Sequence, residues 1–356
     1  MHIVICDGAI VLGGAERVIS ILSRELVERG NDVTLLLFYN RPLFYEIDNR
    51  VRIVSEEKEG CNSIFKHLSF RRRFFKKTKP DLVLSFLAPF NMVTIASMLF
   101  LRIPLIVADR NDPRKVPNNI FLRLLRNILY SLADTVVVQS DRNKNYFSGS
   151  VKKKSIVIYN PVEMGNYLGA GLECEKKEKI VYVGRLVKQK NIFGLIDAFL
   201  SVHQLYTNYK LELYGDGDLS QDIREYVDRL NLTDYVGING NIKNVFEEIK
   251  DARIFVLNSD YEGQPNALIE AMCLGLPVVS TRVSGATEIV QDRSNGLLVD
   301  VRDSDGLKDA LIDLIEDKEL AKRCSANAIS VYELFETKSI VDKWINLFNE
   351  LQTDRT

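Results

Sequence analysis

Two cations in one short loop are suited to chemistry on a phosphorylated ligand. Arg185 and Lys190 lie five residues apart, just after an apolar run that ends at Val183. An arginine guanidinium can bind phosphate oxygens through two parallel hydrogen bonds, and a lysine adds a point charge. The pair could therefore straddle a diphosphate, although a solvated basic turn is the alternative interpretation of these residues alone.

Two carboxylates, Glu262 and Glu270, belong to a longer string that joins a predicted buried strand to a helix. A carboxylate about one turn into such a helix is well placed to accept hydrogen bonds from two vicinal hydroxyls, as on a ribose. Two glutamates at this spacing are common, so the specificity lies in the whole string. The loop and helix start between them are Gly263, Gln264, Pro265, Asn266 and Ala267.

Glycines follow several predicted strands and would let a ligand approach the backbone. Gly13 and Gly14 precede a helix, whose N-terminal N–H groups carry partial positive charge and can hold a phosphate. Gly184, Gly215 and Gly217 follow strands in the second half of the chain. The first pair does not fit the G-x-G-x-x-G pattern, which argues against a dinucleotide site there.

No metal site is predicted. Asp216 and Asp218 flank a glycine as in a D-x-D sequence, but Asp218 is expected to cap the helix that follows. The three histidines form no cluster with metal-ligand spacing, and the five cysteines include no C-x-x-C pair. Scattered cysteines in odd number favour a reducing cytosol.

Alternating strands and helices must position these residues. The 356 residues are too many for one small core and predict two domains. We expect two facing Rossmann-like α/β domains, with ligands at the carboxyl ends of the strands in a central cleft. The predicted segments are a first domain over 1–163, a linker over 164–179, a second domain over 180–335, and a helix over 336–356 that packs back on the first domain.

One uncharged stretch, residues 82–101, is long enough to span a bilayer. Pro89 and Asn91 interrupt it, and it also divides into a buried strand, a loop and a helix. We favour this second interpretation. The start of the chain lacks the basic and apolar regions of a signal peptide.

Together these motifs resemble the family-4 retaining glycosyltransferases, which have the two-Rossmann-domain B-type fold. The resemblance covers nearly the whole chain. It rests on Gly13-Gly14-Ala15-Glu16-Arg17, Gly184-Arg185-Leu186 with Lys190-Asn191, Gly215-x-Gly217, the string from Glu262 to Met272, Gly275-x-Pro277, Gly285 and Asn295-Gly296.

The resemblance implies that the domain over 1–163 binds the acceptor, that the domain over 180–335 binds the nucleotide sugar, and that several matching residues have defined roles. Arg185 and Lys190 would hold the donor diphosphate, and Glu270 would bind the ribose hydroxyls. Glu262 would contact the transferred sugar near its anomeric carbon. The glycine loop at 13–14 would close over phosphate and acceptor.

One departure from the family concerns the loop after the strand at 105–108. Many members have a histidine there, and this chain has Asp109, Arg110 and Asn111 instead. These residues are the candidates to replace the histidine near the donor sugar. A helix-capping loop is the alternative.

The acceptor is inferred from charge. Residues 1–160 hold 25 lysines and arginines against 15 acidic residues, and residues 161–356 hold 22 against 33. In the first half, residues 65–80 interleave cations with aromatics, as in an interfacial membrane helix. A solvated face or a nucleic-acid patch would compete, but no nucleic-acid fold motif accompanies it. The predicted acceptor and membrane contacts are Arg71, Arg72, Arg73, Lys76, Lys77, Arg114 and Lys115.

The sequence therefore predicts a retaining, metal-independent hexosyltransferase at the inner face of the cell membrane. It would move a hexose or N-acetylhexosamine from a nucleotide sugar, with UDP expected from the resemblance, to a lipid-linked glycan. No cofactor beyond this co-substrate and no nucleic-acid partner are expected. A sugar-nucleotide 2-epimerase and a non-catalytic sugar-nucleotide-binding scaffold remain as alternatives.

Overall fold

The computed structural model describes residues 1–11 and 13–353, and the chain divides into two compact units. The first unit contains Met1–Pro161 and the C-terminal segment from Phe335, and the second is Val162–Leu334. Residues 164–179, expected as a linker, belong to the second unit and contain two short 3-10 turns. Leu12 of the glycine loop and residues 354–356 of the predicted last segment lie outside the described residues.

A seven-stranded parallel sheet forms the centre of the first unit, in the order β3-β2-β1-β4-β5-β6-β7. Its strands are β1 (His2–Asp7), β2 (Asp32–Leu37), β3 (Arg52–Ser55), β4 (Leu82–Phe86), β5 (Leu105–Ala108), β6 (Thr135–Val138) and β7 (Ser155–Val157). The helices between them are α1 (Gly14–Glu28), α2 (Ile64–Thr78), α3 (Ala88–Met98), α4 (Ile120–Tyr130), α5 (Asp141–Lys144) and α6 (Gly149–Lys153).

Strand β1 is apolar on both faces because helices cover both sides of the sheet. Ile3 and Ile5 lie in one core with α1, and Val4 and Cys6 lie in the other with Phe75 of α2. The strand order reverses between β1 and β4, and such a switch point makes a crevice at the carboxyl ends of the strands.

A six-stranded parallel sheet forms the second unit, in the order β10-β9-β8-β11-β12-β13. Its order reverses between β8 and β11. The strands are β8 (Lys177–Val183), β9 (Lys210–Tyr214), β10 (Val236–Ile238), β11 (Ala252–Leu257), β12 (Val278–Thr281) and β13 (Leu297–Val299). The helices are α7 (Ile192–Leu205), α8 (Ser220–Arg229), α9 (Val245–Ile249), α10 (Asn266–Leu274), α11 (Ala286–Ile289), α12 (Ser304–Glu316) and α13 (Lys318–Ala328).

The chain returns to the first unit through α14 (Tyr332–Phe335) and ends in α15 (Thr337–Thr353). Trp344 and Phe348 of α15 are fully buried in the core of the first unit, and the Trp344 ring lies 6.3 Å from that of Phe86 in β4. The last helix therefore completes the first core. None of the described helices combines the length and the apolar character needed to cross a bilayer.

Candidate active site

The turn after β8 carries the two predicted phosphate-binding cations. The Gly184 N–H donates to the Tyr214 carbonyl at 2.9 Å, and the buried Tyr182 hydroxyl donates to the Arg185 carbonyl at 3.1 Å. These bonds fix the backbone of the turn while the Arg185 side chain is exposed. Lys190 ends the short 3-10 turn that follows, just before α7. Both cations therefore stand at the carboxyl edge of the second sheet.

The glycines of this edge permit an approach of backbone to backbone. A Cβ on Gly215 would lie 1.9 Å from the Gly184 carbonyl oxygen, and one on Gly217 would lie 2.4 Å from the Leu186 carbonyl oxygen. Gly215 also has a φ of 137°, which L-residues rarely adopt. The turns after β8 and β9 can therefore pack together only because side chains are absent at these positions.

Asp216, rather than Asp218, organises the start of α8. Its carboxylate accepts from the Gly217 N–H at 2.8 Å and from the Ser220 hydroxyl, and the bond from Ser220 is the main cause of its lowered pKa. The N-cap residue of α8 is Leu219, and no side chain caps that helix. The expectation that Asp218 caps it is wrong because the turn brings the earlier aspartate to the helix start.

Lys190 and Glu262 form an ion pair. The Ser259 hydroxyl donates to the same Glu262 oxygen at 2.7 Å, and Glu262 is only 7% exposed. The two turns are also joined by Gln189, whose side chain donates to the Tyr261 carbonyl at 2.6 Å and whose carbonyl accepts from the Asp260 N–H. A cation and a carboxylate are thus held side by side, largely shielded from water.

The loop after β11 leads directly into α10. Gly285, with a φ of 72°, has no room for a Cβ, which would lie 2.5 Å from the Gly263 carbonyl oxygen. Gln264 and Pro265 follow, and α10 begins with Asn266 and Ala267. Glu270, in the same helix, is 7% exposed. The helix therefore starts at the carboxyl edge of the second sheet, where Arg185 and Lys190 also lie.

In the first unit, the glycine loop adjoins a buried carboxyl group that the sequence analysis missed. Gly13 caps α1 in extended conformation and Gly14 is its first residue. Asp7, at the end of β1, is 1% exposed, and neither carboxyl oxygen has a hydrogen-bond partner among the described residues. Burial, with Glu16 nearby, holds its pKa well above the usual range. In the sequence, an acidic residue at the end of an apolar strand, just before a glycine, would have indicated this carboxyl group.

Asp109 and Arg110, the candidates to replace the family histidine, are both buried. Asp109 accepts from the Tyr130 hydroxyl at 3.3 Å and lies 3.7 Å from Arg126. Burial raises its pKa. The structure thus places Asp109 within a polar cluster of the first unit.

The Arg110 guanidinium lies 5.2 Å from the ring centre of Phe86 and 5.3 Å from that of Trp344 in α15. One of its nitrogens donates to the Ile158 carbonyl at 3.1 Å and to the Asn160 side chain at 2.9 Å. Burial lowers the Arg110 pKa to about 9. In this structure Arg110 therefore links β4, the segment just after β7 and the last helix.

The sequence predicts Arg71 on the basic surface of α2, and this prediction is wrong. Its guanidinium is fully buried, donates to Glu56 at 2.6 Å and to Thr94, and lies over the Phe38 ring. His67, Arg71 and Phe75 are the buried residues of α2, at four-residue intervals that define one helix face. Arg71 faces inward because it occupies this stripe, and Glu56 balances its charge.

The other predicted acceptor and membrane contacts are at least partly exposed. Arg73, Lys76, Lys77 and Lys115 are exposed, whereas Arg72 and Arg114 are intermediate. Arg72 donates to the Leu99 carbonyl at 2.7 Å. Their exposure leaves these cations accessible to an anionic ligand.

Glu56, Cys61 and His67 bring three possible metal-ligating atoms within 4.8 Å of one another, a cluster that the sequence did not predict. His67 and Arg71 each donate to Glu56 at 2.6 Å. The guanidinium already balances the carboxylate charge, so the cluster is accounted for without an ion.

The comparisons with known proteins agree with this architecture. The first unit matches the family Glycosyltransferase Family 4 over residues 12–165, and the second matches Glycosyl transferases group 1 over residues 169–331. A Campylobacter jejuni enzyme is 28% identical over 350 residues, covering 96% of each chain. It is named GalNAc-alpha-(1->4)-GalNAc-alpha-(1->3)-diNAcBac-PP-undecaprenol alpha-1,4-N-acetyl-D-galactosaminyltransferase.

Solved structures share the fold over the whole chain. Sucrose-phosphate synthase from Thermosynechococcus elongatus has a TM-score of 0.85 at 20% identity, covering 99% of this chain and 100% of that one. HepE from Anabaena, in complex with UDP and glucose, has a TM-score of 0.83 at 19% identity, covering 98% and 99%.

Two parallel α/β units with these matches define a glycosyltransferase of the B-type fold. The chain belongs to the family-4 glycosyltransferases, and the predicted fold class and family are confirmed.

Proposed function

We propose that this glycosyltransferase moves a hexose or N-acetylhexosamine from a UDP-sugar to a lipid-linked saccharide, with retention and without a metal. The observation that carries the proposal is the pairing of Lys190 with Glu262 in the same edge of the second sheet as the exposed Arg185. One guanidinium is accessible to a diphosphate, and one ammonium stands beside a carboxylate suited to sugar hydroxyls.

The donor diphosphate would share the positive charge of Lys190 with Glu262. A diphosphate carries more negative charge than one carboxylate, so Lys190 would contact phosphate while Glu262 turns to the hydroxyls of the sugar. Arg185 would bind the diphosphate from the exposed side of the turn. Glu270, largely buried in α10, would accept from the ribose hydroxyls, as the family resemblance implies.

In the proposed reaction, the bond between the anomeric carbon and the diphosphate oxygen breaks, and its electron pair leaves with the nucleoside diphosphate. The acceptor hydroxyl oxygen forms the new bond on the same face, and its proton passes to the departing diphosphate. This leaving group needs charge stabilisation more than protonation, which Arg185, Lys190 and backbone N–H groups would supply without a metal. Glu262 positions the sugar and is not the nucleophile.

Relatives support the choice of substrates. HepE was solved with UDP and glucose, and the name of the Campylobacter enzyme includes a diphospho-undecaprenol glycan acceptor. The exposed cations of α2 would bind the phosphates of such an acceptor or an anionic membrane surface. All five cysteines are free, as expected for a protein at the cytoplasmic face of the membrane.

Thermal unfolding in the presence of UDP, GDP and ADP tests the donor. A selective rise in Tm with UDP is expected, because a ligand at about 100 times its Kd stabilises by about 2.7 kcal/mol. Radiolabelled UDP-sugars are then supplied with membrane lipid extract, with and without EDTA. Labelled lipid with an α-linkage from an α-linked donor, formed equally in EDTA, is the expected product. A rise in Tm only with a nucleotide other than UDP would contradict the proposed donor. An inverted linkage would contradict retention, and loss of transfer in EDTA would contradict metal independence.

A further inference from the structure

Helix α4 leaves a continuous apolar face in solvent. The exposed fractions are 75% for Phe121, 65% for Ile128, 56% for Ile120, 55% for Leu124 and 45% for Leu125. Within residues 1–11 and 13–353, no other helix exposes as many large apolar side chains. A patch of this kind on a water-soluble surface marks a site of interaction.

The packing of α4 explains why its apolar side faces outward. Arg126 and Tyr130 are its only buried residues. Arg126 donates to the Val116 carbonyl at 2.6 Å and lies 3.7 Å from Asp109, while Tyr130 bonds to Asp109 and Asn91. Polar groups thus anchor the inner side of the helix. The apolar face is presented outward by the fold rather than left over from a poorly packed core.

Five of the six exposed apolar residues of α4 share one side of the helix, and Leu122, 42% exposed, lies outside it. Positions 120, 121, 124, 125 and 128 follow the spacing of a single helix stripe. Phe121 and the leucines and isoleucines are the residue types that enter the boundary between headgroups and acyl chains in interfacial helices. The face therefore fits the geometry of a helix lying in a membrane surface.

The charges around α4 identify the partner as an anionic surface. No aspartate or glutamate occurs between Asp112 and Asp134, whereas Lys115 and Arg123 lie in this interval. The start of α6 lines a groove with Leu124 and Ile128 of α4, and α6 also carries the exposed Lys152 and Lys153. Cations flanking an apolar stripe match a bilayer that contains acidic phospholipids.

The apolar face of α4 begins near the carboxyl edge of the first sheet. The chain leaves that edge after β5, at Ala108, and enters β6 from the opposite edge, at Thr135. The start of α4 therefore lies toward the carboxyl edge, where ligands of parallel sheets bind. A membrane held along α4 would lie beside this edge.

We propose that α4 docks the enzyme on an anionic phospholipid bilayer by inserting the face formed by Ile120, Phe121, Leu124, Leu125 and Ile128. This proposal deepens the proposed function, because it rests on an acceptor carried by a lipid. The basic face of α2 attracts the surface electrostatically, and α4 supplies the apolar contact that persists at high salt.

Vesicle binding by the full chain tests the proposal. The purified protein is mixed with vesicles of phosphatidylcholine alone or with phosphatidylglycerol, at low and high salt, and the bound fraction is measured by sedimentation. The double variant Phe121→Glu/Ile128→Glu is compared with Leu205→Glu, a matched control because Leu205 is 64% exposed on α7 of the second unit. We expect the partition coefficient to fall about tenfold or more in the double variant and to be unchanged in the control.

The thermal midpoint of both variants should match the unaltered protein, since the replaced side chains already contact water. Equal binding of the double variant and the unaltered protein, or no binding to acidic vesicles at all, would overturn the proposal. A change of oligomeric state in the double variant with vesicle binding retained would also overturn it, because the face would then join copies of the chain.

The failure of this proposal and that of the proposed function are distinguishable. Transfer of sugar to detergent-dispersed acceptor should be retained by the double variant, because neither Phe121 nor Ile128 is among the residues assigned to the donor or to the transferred sugar. Vesicle binding through α4 without transfer to any lipid-linked acceptor would remove the proposed function and leave the docking surface in place. If the double variant and the unaltered protein transfer sugar equally well to acceptor in vesicles, the docking surface is removed and the proposed function is left in place.

Discussion

Lys190 and Glu262, from turns 72 residues apart in sequence, neutralise each other at the carboxyl edge of the second sheet. Their side chains are 14% and 9% exposed, so the pair is largely removed from water. The two side chains that we assign to phosphate and sugar thus bind each other in this structure. In the proposed function, the donor would have to replace this contact with contacts of equal or greater strength.

Lys190→Ala should lower both stability and transfer. It leaves Glu262 buried without its cation, and breaking one partner of a buried pair costs about 3–5 kcal/mol. Urea unfolding measures the loss of stability, and the KM for the donor sugar nucleotide measures the effect on transfer. Lys188→Ala, in the same turn but exposed, is the control and should change neither. A double variant Lys190→Met/Glu262→Gln should recover stability without recovering transfer, and recovery of both would refute the assignment.

Arg185→Ala should reduce kcat/KM for the sugar nucleotide by about 100- to 1000-fold, the effect of losing one preorganised donor to a developing charge. The free energy of unfolding should change by less than about 0.5 kcal/mol, because the side chain is exposed. Steady-state kinetics with denaturant unfolding on the same samples separate the two effects. Activity close to that of the unaltered enzyme would remove Arg185 from the phosphate site.

Gly215→Ala should destabilise the second unit far more than Gly240→Ala. Both glycines have positive φ, 137° and 66°, so both alanines carry backbone strain, of about 1–3 kcal/mol at Gly215 and about 1–2 kcal/mol at Gly240. Only at Gly215 would the new Cβ meet a backbone atom, at 1.9 Å from the Gly184 oxygen, whereas nothing lies within 4 Å at Gly240. Thermal unfolding of the two variants measures the steric clash together with the small difference in backbone strain. Similar losses in both would show that the turns after β8 and β9 can separate.

Asp7→Asn should flatten the pH dependence of stability. Burial and Glu16 raise the pKa of Asp7 in the folded chain, so the folded state keeps a proton that the unfolded state releases above the usual value of 3.8. The stability contributed by this carboxyl is therefore fully present at low pH and falls as pH rises, by up to about 1.4 kcal/mol per pH unit. Urea unfolding of both proteins from about pH 4 to 7 measures the difference. Parallel curves would contradict the raised pKa.

Arg71→Ala and Arg73→Ala, two residues apart on α2, should affect different properties, the first stability and the second vesicle binding. Loss of Arg71 leaves Glu56 buried with only His67 and should cost about 3–5 kcal/mol of stability. Loss of the exposed Arg73 should spare stability and weaken binding to acidic vesicles by about 1 kcal/mol at low salt. Unfolding and sedimentation measured on both variants check this. Equal vesicle binding by Arg73→Ala would remove α2 from the membrane contact.

The fold class was predictable because most strands, such as β4, are short apolar runs and the longer helices, such as α1, carry a periodic apolar stripe. The matching families and structures confirm that fold class and the family resemblance. Two features of the site were not predictable. The pairing of Lys190 with Glu262 depends on the distance between two turns in space, which sequence spacing does not encode.

The direction of Arg71 was also beyond the sequence argument. A helix rich in cations suggests a solvated face, and only the position of Glu56 across the core makes an inward arginine tolerable. The outward direction of the apolar residues of α4 was not predictable either, because the cations near this helix are typical of a solvated basic face. There the usual rule is inverted, because Arg126 points inward and the leucines point outward.

The last helix, α15, has a consequence for synthesis on the ribosome. The fully buried Trp344 and Phe348 belong to the core of the first unit, yet they are made after the whole second unit. Residues 162–334 can complete their core as soon as they emerge, while the N-terminal sheet waits for the end of the chain. The order of completion is therefore the reverse of the order of translation, and premature termination near residue 336 would leave the earlier-made half with an open core.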